Sequence, residues 1–235
     1  MTNIDELIND VQTIVNTEWN KRTGQKVPTT TGMALAGGAV ELDATFLYAD
    51  LANSSKIAKE LDRRIAAKII KSFLMTSVKL VKLNGGSVVS FDGDRILGVF
   101  YGAGKNSSAV KCALNINYAV SEIIRPKFEA KYNSVKNATF KIEHGVGVDT
   151  GTVLAVRGGV RGENDLIWIG RAANLAAKLS DIRESPNHSF ITASVYNRLN
   201  KESIYANGKN MWEKRTWNFL DDKLNIYRST WYWEP

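Results

Sequence analysis

The stretch NGGSVVSFDGDRILGVF, residues 84–100, sets two short apolar runs on either side of Asp92-Gly93-Asp94. Val88, Val89 and Phe91 precede the turn, and Ile96, Leu97, Val99 and Phe100 follow it. Asp-Gly between apolar runs is the strongest short-range hairpin signal. The turn itself needs one aspartate. The second, Asp94, stands where the next strand begins and calls for a separate reason.

Working outward, residues 54–83 read as one long helical stretch or two helices, with Ile65, Ile69, Phe73, Val78 and Leu80 turned inward and Gly85-Gly86 as the stop. Before it, ELDATFLYADLA (41–52) is mostly apolar and β-prone, a buried strand. Ile4, Leu7, Ile8, Val11, Ile14, Val15 and Trp19 fall at helical spacing and predict an amphipathic N-terminal helix. TGQKVPTTTGMALAGGA (23–39) reads as an arm or linker, so the division expected is residues 1–40 as helix and arm and 41–235 as the main domain. After the hairpin, residues 107–131 predict a helical region broken or kinked at Pro126. FKIEHGVGVDTGTVLAVRGG (140–159) reads as a strand pair turning at Asp149-Thr150-Gly151. DLIWIG and SFITAS are strands, RAANLAAKLSDI is a helix, and the tryptophan-rich C-terminus is more sheet. The order predicts an α+β fold with a mostly antiparallel sheet and helices on one face.

Composition narrows the function. With 44% hydrophobic and 23% charged residues the chain suits a soluble globular domain, and no apolar run reaches the ~20 residues of a membrane helix. The acidic MTNIDELINDVQ start lacks the features of a signal peptide. One cysteine, Cys112, leaves no intrachain disulfide and points to the cytoplasm. Two histidines and one cysteine do not make a typical zinc site; His144 is expected to be packed or at an edge, and His188 in a loop. The net charge of +7 is spread along the chain without a nucleic-acid-binding motif, which favours a small polyanionic ligand over nucleic acid.

Asp94 gains meaning beside Asp50, which ends the apolar strand Phe46-Leu47-Tyr48-Ala49. If the two strands are neighbours, both carboxylates sit at one sheet edge, where like charges repel unless a proton or a divalent cation intervenes. LANSSK (51–56), with Asn53 and Ser54, leads into a helix whose first amides suit phosphate. The competing reading makes Asp50 a helix cap and Asp94 a turn residue.

Four pieces in order carry a resemblance: Tyr48-Ala49-Asp50-Leu51; Gly85-Gly86 with Phe91-Asp92-Gly93-Asp94 and Val99-Phe100; Gly147-Val148-Asp149-Thr150-Gly151; and Gly170 to Leu179, GRAANLAAKL. Over residues 42 to about 195 the chain resembles the class III nucleotidyl cyclases. The resemblance implies a ferredoxin-like catalytic domain that works as a head-to-tail homodimer. It implies two divalent cations, Mn²⁺ or Mg²⁺, on Asp50 and Asp94, and attack of the ribose 3′-oxygen on the α-phosphate with release of pyrophosphate. Asn174 is implied as the residue that orients the ribose from the other protomer. The family's transition-state arginine falls at Lys178, which keeps the charge and loses the planar fork.

The base-reading positions depart from the purine patterns. The adenine-reading lysine position is Ser90, and the second reader falls at Ile167. Tyr48 is bulky where phenylalanine is common in the family, and Arg95 follows Asp94 where small residues are usual. A smaller pocket with added donors favours a pyrimidine with its carbonyl O2. The combination resembles the pyrimidine cyclases of bacterial anti-phage (Pycsar) systems. That implies UTP, ahead of CTP, as substrate, a 3′,5′-cyclic nucleotide passed to a separate effector protein, and neither nucleic acid nor membrane as partner. The alternatives are an adenylate cyclase with a remodelled pocket and an inactive cyclase-like nucleotide sensor.

Overall fold

The computed structural model describes residues 3–235. The strands are β1 (Asn20–Thr23), β2 (Gly38–Leu51), β3 (Ser87–Asp92), β4 (Arg95–Phe100), β5 (His144–Val160), β6 (Glu163–Ile169), β7 (Ser189–Thr192), β8 (Tyr205–Ala206), β9 (Lys209–Asn210), β10 (Glu213–Phe219) and β11 (Asp222–Ser229). The α-helices are α1 (Asn3–Asn16), α2 (Ser54–Glu60), α3 (Arg63–Leu83), α4 (Lys105–Tyr118), α5 (Arg125–Lys131), α6 (Asn133–Lys136), α7 (Arg171–Ser180), α8 (Ala193–Tyr196) and α9 (Lys201–Ile204). One sheet runs in the order β10-β11-β7-β5-β2-β4-β3, with β1 beside β2 and β6 beside β5. Only β1–β2 and β5–β7 pair parallel within it. Among the described residues no helix is long and apolar enough to cross a membrane.

Alternation along β2 splits the core between two faces, and helices cover both rather than the one face expected. Leu47, Ala49 and Leu51 join Ile57, Ile69, Phe73, Cys112 and Ile116 under the α2–α5 layer. Leu42, Ala44 and Phe46 face the other way, against Ala172, Ala173 and Ala176 of α7. Phe46 and Phe73 are fully buried, each worth about 1.5–3 kcal/mol relative to exposure. Trp212 is buried in the larger core, with Trp231 and Trp233 packed on it, so these tryptophans serve packing.

Several expectations need correction. Residues 144–160 form one continuous strand rather than a hairpin. The Asp-Thr-Gly signal is overridden by pairing: Asp149 accepts from Thr192 Oγ1 at 2.5 Å, and Thr150 Oγ1 meets Thr45 Oγ1 at 3.0 Å. β2 begins at Gly38, three residues before the expected start, because the arm folds back as β1 along Gly38–Glu41. The break near Pro126 is a π-helical turn at Ala119–Ile124 that delivers the proline to the start of α5, where its missing N–H costs nothing. Ala193 and Ser194 open α8 instead of extending β7, since the Thr192 hydroxyl accepts from the Val195 amide.

Candidate active site

The β3–β4 hairpin closes through the two residues Gly93 and Asp94, with Asp92 paired to Arg95 and Gly93 in the left-handed region at φ 59°. β4 then pairs antiparallel with β2. The registers create two adjacent cross-strand rows: Tyr48, Leu97 and Ser90 in one, Asp50, Arg95 and Asp92 in the next. Leu97 belongs to the α7-side core, so both rows face that side. A register shift in β3 between Val88 and Ser90 sets Ser90 in its row. Tyr48, Ser90, Arg95, Asp50 and Asp94 are thus brought together.

Asp50 is 7% exposed. Its carboxylate accepts from Arg95 Nε at 3.3 Å and from Arg183 Nη2. Burial pushes the Asp50 carboxyl above its ordinary range; Arg95 and Arg183 pull it down, and Asp94 adds to the rise. Asp50 makes no cap to α2; the capping position is Asn53, whose side chain leaves the helix uncapped and reaches the Lys141 carbonyl at 3.4 Å instead. Arg95 also donates to Asp181 at 2.5 Å. It therefore stands between Asp50 and Asp181, with Asp92 in its own row. Burial pushes the Tyr48 hydroxyl up, with Arg95 lowering it and Asp92 raising it, which puts the phenol in the field of both groups.

Arg183 and Asp181 went unrecognised in the sequence. Their signal lies in Gly145-Val-Gly147, two glycines in a strand, which mark close backbone approach. A Cβ on Gly145 would stand 2.3 Å from the Ser180 carbonyl and 2.6 Å from Arg183 Nη1. A Cβ on Gly147 would stand 2.1 Å from the Ala176 carbonyl. The missing side chains let α7 lie on β5 and bring Arg183 to Asp50. Asp92, read only as a turn residue, is the other residue missed.

Asn174 and Lys178 are four apart on α7 and both exposed, pointing away from the core-facing Ala172, Ala173 and Ala176. Neither is brought to Asp50 by a contact within the chain. Asn53 sits at φ 63° and Ser54 opens α2, directly after the strand that ends at Asp50. Ile167 is 49% exposed on β6, lying over Gly158. Its neighbour Trp168 meets Phe46 edge to face at 5.4 Å and packs on the α7-side core.

The donor set fits a hard cation. Asp94 Oδ2 is buried without a hydrogen-bond partner, and Asp50 lies one strand away. Arg95 and Arg183 occupy the two Asp50 oxygens, so Asp94 Oδ2 is the oxygen of the pair left for a hard divalent cation, with phosphate and water completing the shell. Among the described residues no group of three or more His, Cys, Asp or Glu side chains could hold a metal ion. His144 is 2% exposed, its ring stacks on His188 at 4.9 Å, and neither of its nitrogens has a partner. It is a packed residue.

No protein-family model matches the chain. Among curated proteins it is 56% identical to a uridylate cyclase of Rhodovulum sp. (strain MB263), covering 98% of this chain and 97% of that protein. It is 40% identical to a uridylate cyclase of Xanthomonas perforans over 97% of each, and 43% identical to one of Burkholderia cepacia over 81% and 80%. Among solved structures, the guanylyl cyclase Cya2 superposes with a TM-score of 0.68 at 19% identity, covering 83% of this chain and 95% of that one. The adenylyl cyclase CyaB from P. aeruginosa gives a TM-score of 0.67 at 19% identity over 81% and 95%. The latter pair establish the fold. With the curated relatives aligned over nearly their whole length, the chain belongs to the uridylate cyclase family, nucleotidyl cyclases built on the class III catalytic fold.

Proposed function

We propose that the protein converts UTP to 3′,5′-cyclic UMP and pyrophosphate in a composite site of a homodimer. What supports this most is the pair of adjacent rows: Tyr48 and Ser90 in one, Asp50 and Arg95 in the next, with Asp94 at the hairpin tip. The names of the three relatives point the same way. The 3′-oxygen forms a bond to the α-phosphorus, the bond from that phosphorus to the β-phosphate oxygen breaks, and the hydroxyl proton is released. Asp50 and Asp94 would hold two divalent cations, which would supply charge neutralisation at the phosphate and a more acidic 3′-hydroxyl. Asn53 and Ser54 bind the polyphosphate beside Asp50. Asn174 of the second protomer holds the ribose in line, and its Lys178 places a positive charge at the phosphate. Tyr48 limits the pocket to one ring, and Arg95 donates to a base carbonyl. Ser90 and Ile167 leave a purine without the partners it would need.

The single cysteine is free and buried, which suits a reducing compartment and supports a cytoplasmic reading. The product is read as a messenger for a separate effector in anti-phage defence, on the strength of the pocket's resemblance. The direct test supplies UTP and Mn²⁺ and quantifies both products. Equal amounts of cyclic UMP and pyrophosphate are expected, and Asp94→Asn should abolish both with the fold intact. Formation of UDP and phosphate, or full activity in Asp94→Asn, would refute the assignment.

A further inference from the structure

α1 carries an apolar face that stays exposed. Ile4, Leu7, Ile8, Val11, Ile14 and Val15 are 59–71% exposed, and the helix has no buried residue. A contiguous apolar stripe of this kind marks an interaction surface. Its charges are of one sign: Asp5, Glu6 and Asp10, with no basic residue between Asn3 and Asn16.

A matching surface lies along α3. A groove of about 710 Å³ runs down the outer side of that helix to the edge strand β3, floored by Ile70, Leu74, Met75, Val78 and Phe91. Met75 and Phe91 are 50% and 58% exposed. The charged groups in its lining are Lys71, Lys79 and Lys82. An acidic apolar helix and a lysine-rimmed apolar groove complement each other in shape class and charge.

In its own chain the helix lies off the groove: none of its residues lines it, and its whole apolar stripe cannot be laid there. β1 pins Asn20 opposite Gly38. The nearest end of the groove, where α3 leads into Ser87, lies in the row of Val99 and Phe46, eight residues further along β2, about 26 Å away. From Asn20 back to Asn16 the chain spans at most about 14 Å. Ile14 and Val15 therefore stop short of the groove. Pairing of two α1 helices would cover the same stripe but offers no basic residue to the acids at its rim, whereas the α3 groove offers three lysines.

We propose that α1 docks in the α3 groove of a second copy of this chain. Reciprocal exchange of the two arms closes a two-fold dimer. The inference stands on these two surfaces and is independent of the catalytic reading. Phe91 lies between Ser90 and Asp92, so the docked helix would rest against the hairpin that carries both.

Disulfide trapping tests it in the full-length protein, with Cys112 buried and silent. Chains carrying Val11→Cys are mixed with chains carrying Met75→Cys and oxidised gently, then separated on non-reducing gels. The expected result is a two-chain band in the mixture at least several-fold stronger than in either variant alone. Adding Lys71→Glu and Lys79→Glu to the Met75→Cys chain should weaken that band several-fold. Three results would overturn the proposal: an equally strong band from Val11→Cys alone, which means α1 pairs with α1; a dilution-independent single-chain product from a chain carrying both cysteines, which means docking in cis; or no product at all. An unchanged band after the lysine reversals would remove the charge argument.

Discussion

Gly147 and Gly151 stand four residues apart in one strand and one motif, yet the structure assigns them opposite sensitivities. A Cβ on Gly147 would sit 2.1 Å from the Ala176 carbonyl, 2.5 Å from the Ser180 amide and 2.7 Å from Leu179 Cβ. Backbone atoms cannot swing aside, so in Gly147→Ala α7 must retreat by about 1 Å to regain ordinary contact. Overpacking of this kind costs about 1–3 kcal/mol. At about 2–4 °C per kcal/mol for a chain of this size, the melting temperature should fall by roughly 2–12 °C. Activity should fall further than stability, because α7 carries Asn174 and Lys178 and leads to Arg183. A misplacement of about 1 Å at reacting groups can cost on the order of a hundredfold in rate. In Gly151→Ala the new methyl meets only Ala172 Cβ, at 3.7 Å, so both quantities should stay near wild type. Thermal melts and cyclase assays on the two purified variants decide it. Equal behaviour of the pair, or a wild-type Gly147→Ala, would refute the close packing of α7 on β5.

A composite site predicts complementation: Asp50→Ala chains mixed with Asn174→Ala chains should recover about a quarter of wild-type turnover, since half the dimers are mixed and one of their two sites is whole. No recovery in a mixture shown to exchange subunits would place Asn174 outside the partner's site. The buried histidine pair predicts a pH effect. Burial holds both His144 and His188 below the ordinary range, with each other and nearby arginines contributing for His144. The unfolded chain therefore takes up more protons as pH falls below about 6.5, and stability should drop from pH 7.5 to 5.5. His144→Phe should flatten that slope; urea melts in which wild type is equally stable at both values, or in which the variant keeps the full slope, would contradict it.

The sequence was informative where local pattern and tertiary structure agree. The Asp92-Gly93-Asp94 hairpin, the strand ending at Asp50 and the Ala-rich α7 each satisfied their own periodicity, and their juxtaposition yielded the carboxylate pair. It misled at Asp149-Thr150-Gly151, where turn-forming residues are held extended by long-range bonds to Thr192 and Thr45 that no local window contains. β1 was hidden because Asn20-Lys-Arg-Thr23 is exposed throughout and has no alternation. The amphipathic pattern of α1 was plain, but periodicity alone does not say what a face packs against. Arg183 was missed because its importance comes from the absence of side chains at Gly145 and Gly147, on a strand nearly forty residues earlier.

Competition among the four nucleotides tests base selection, the centre of this account. With ATP, GTP, CTP and UTP at equal concentration and Mn²⁺ in excess, cyclic UMP should dominate. An extra ring forced into a packed pocket costs about 1–3 kcal/mol, while Arg95 keeps its pairs with Asp50 and Asp181. That gives a preference over purines of roughly five- to a hundredfold. Tyr48→Ala should raise the purine share even as total turnover falls. A wild-type preference for ATP, or a product distribution unchanged by Tyr48→Ala, would contradict the pyrimidine pocket and leave only the cyclase fold.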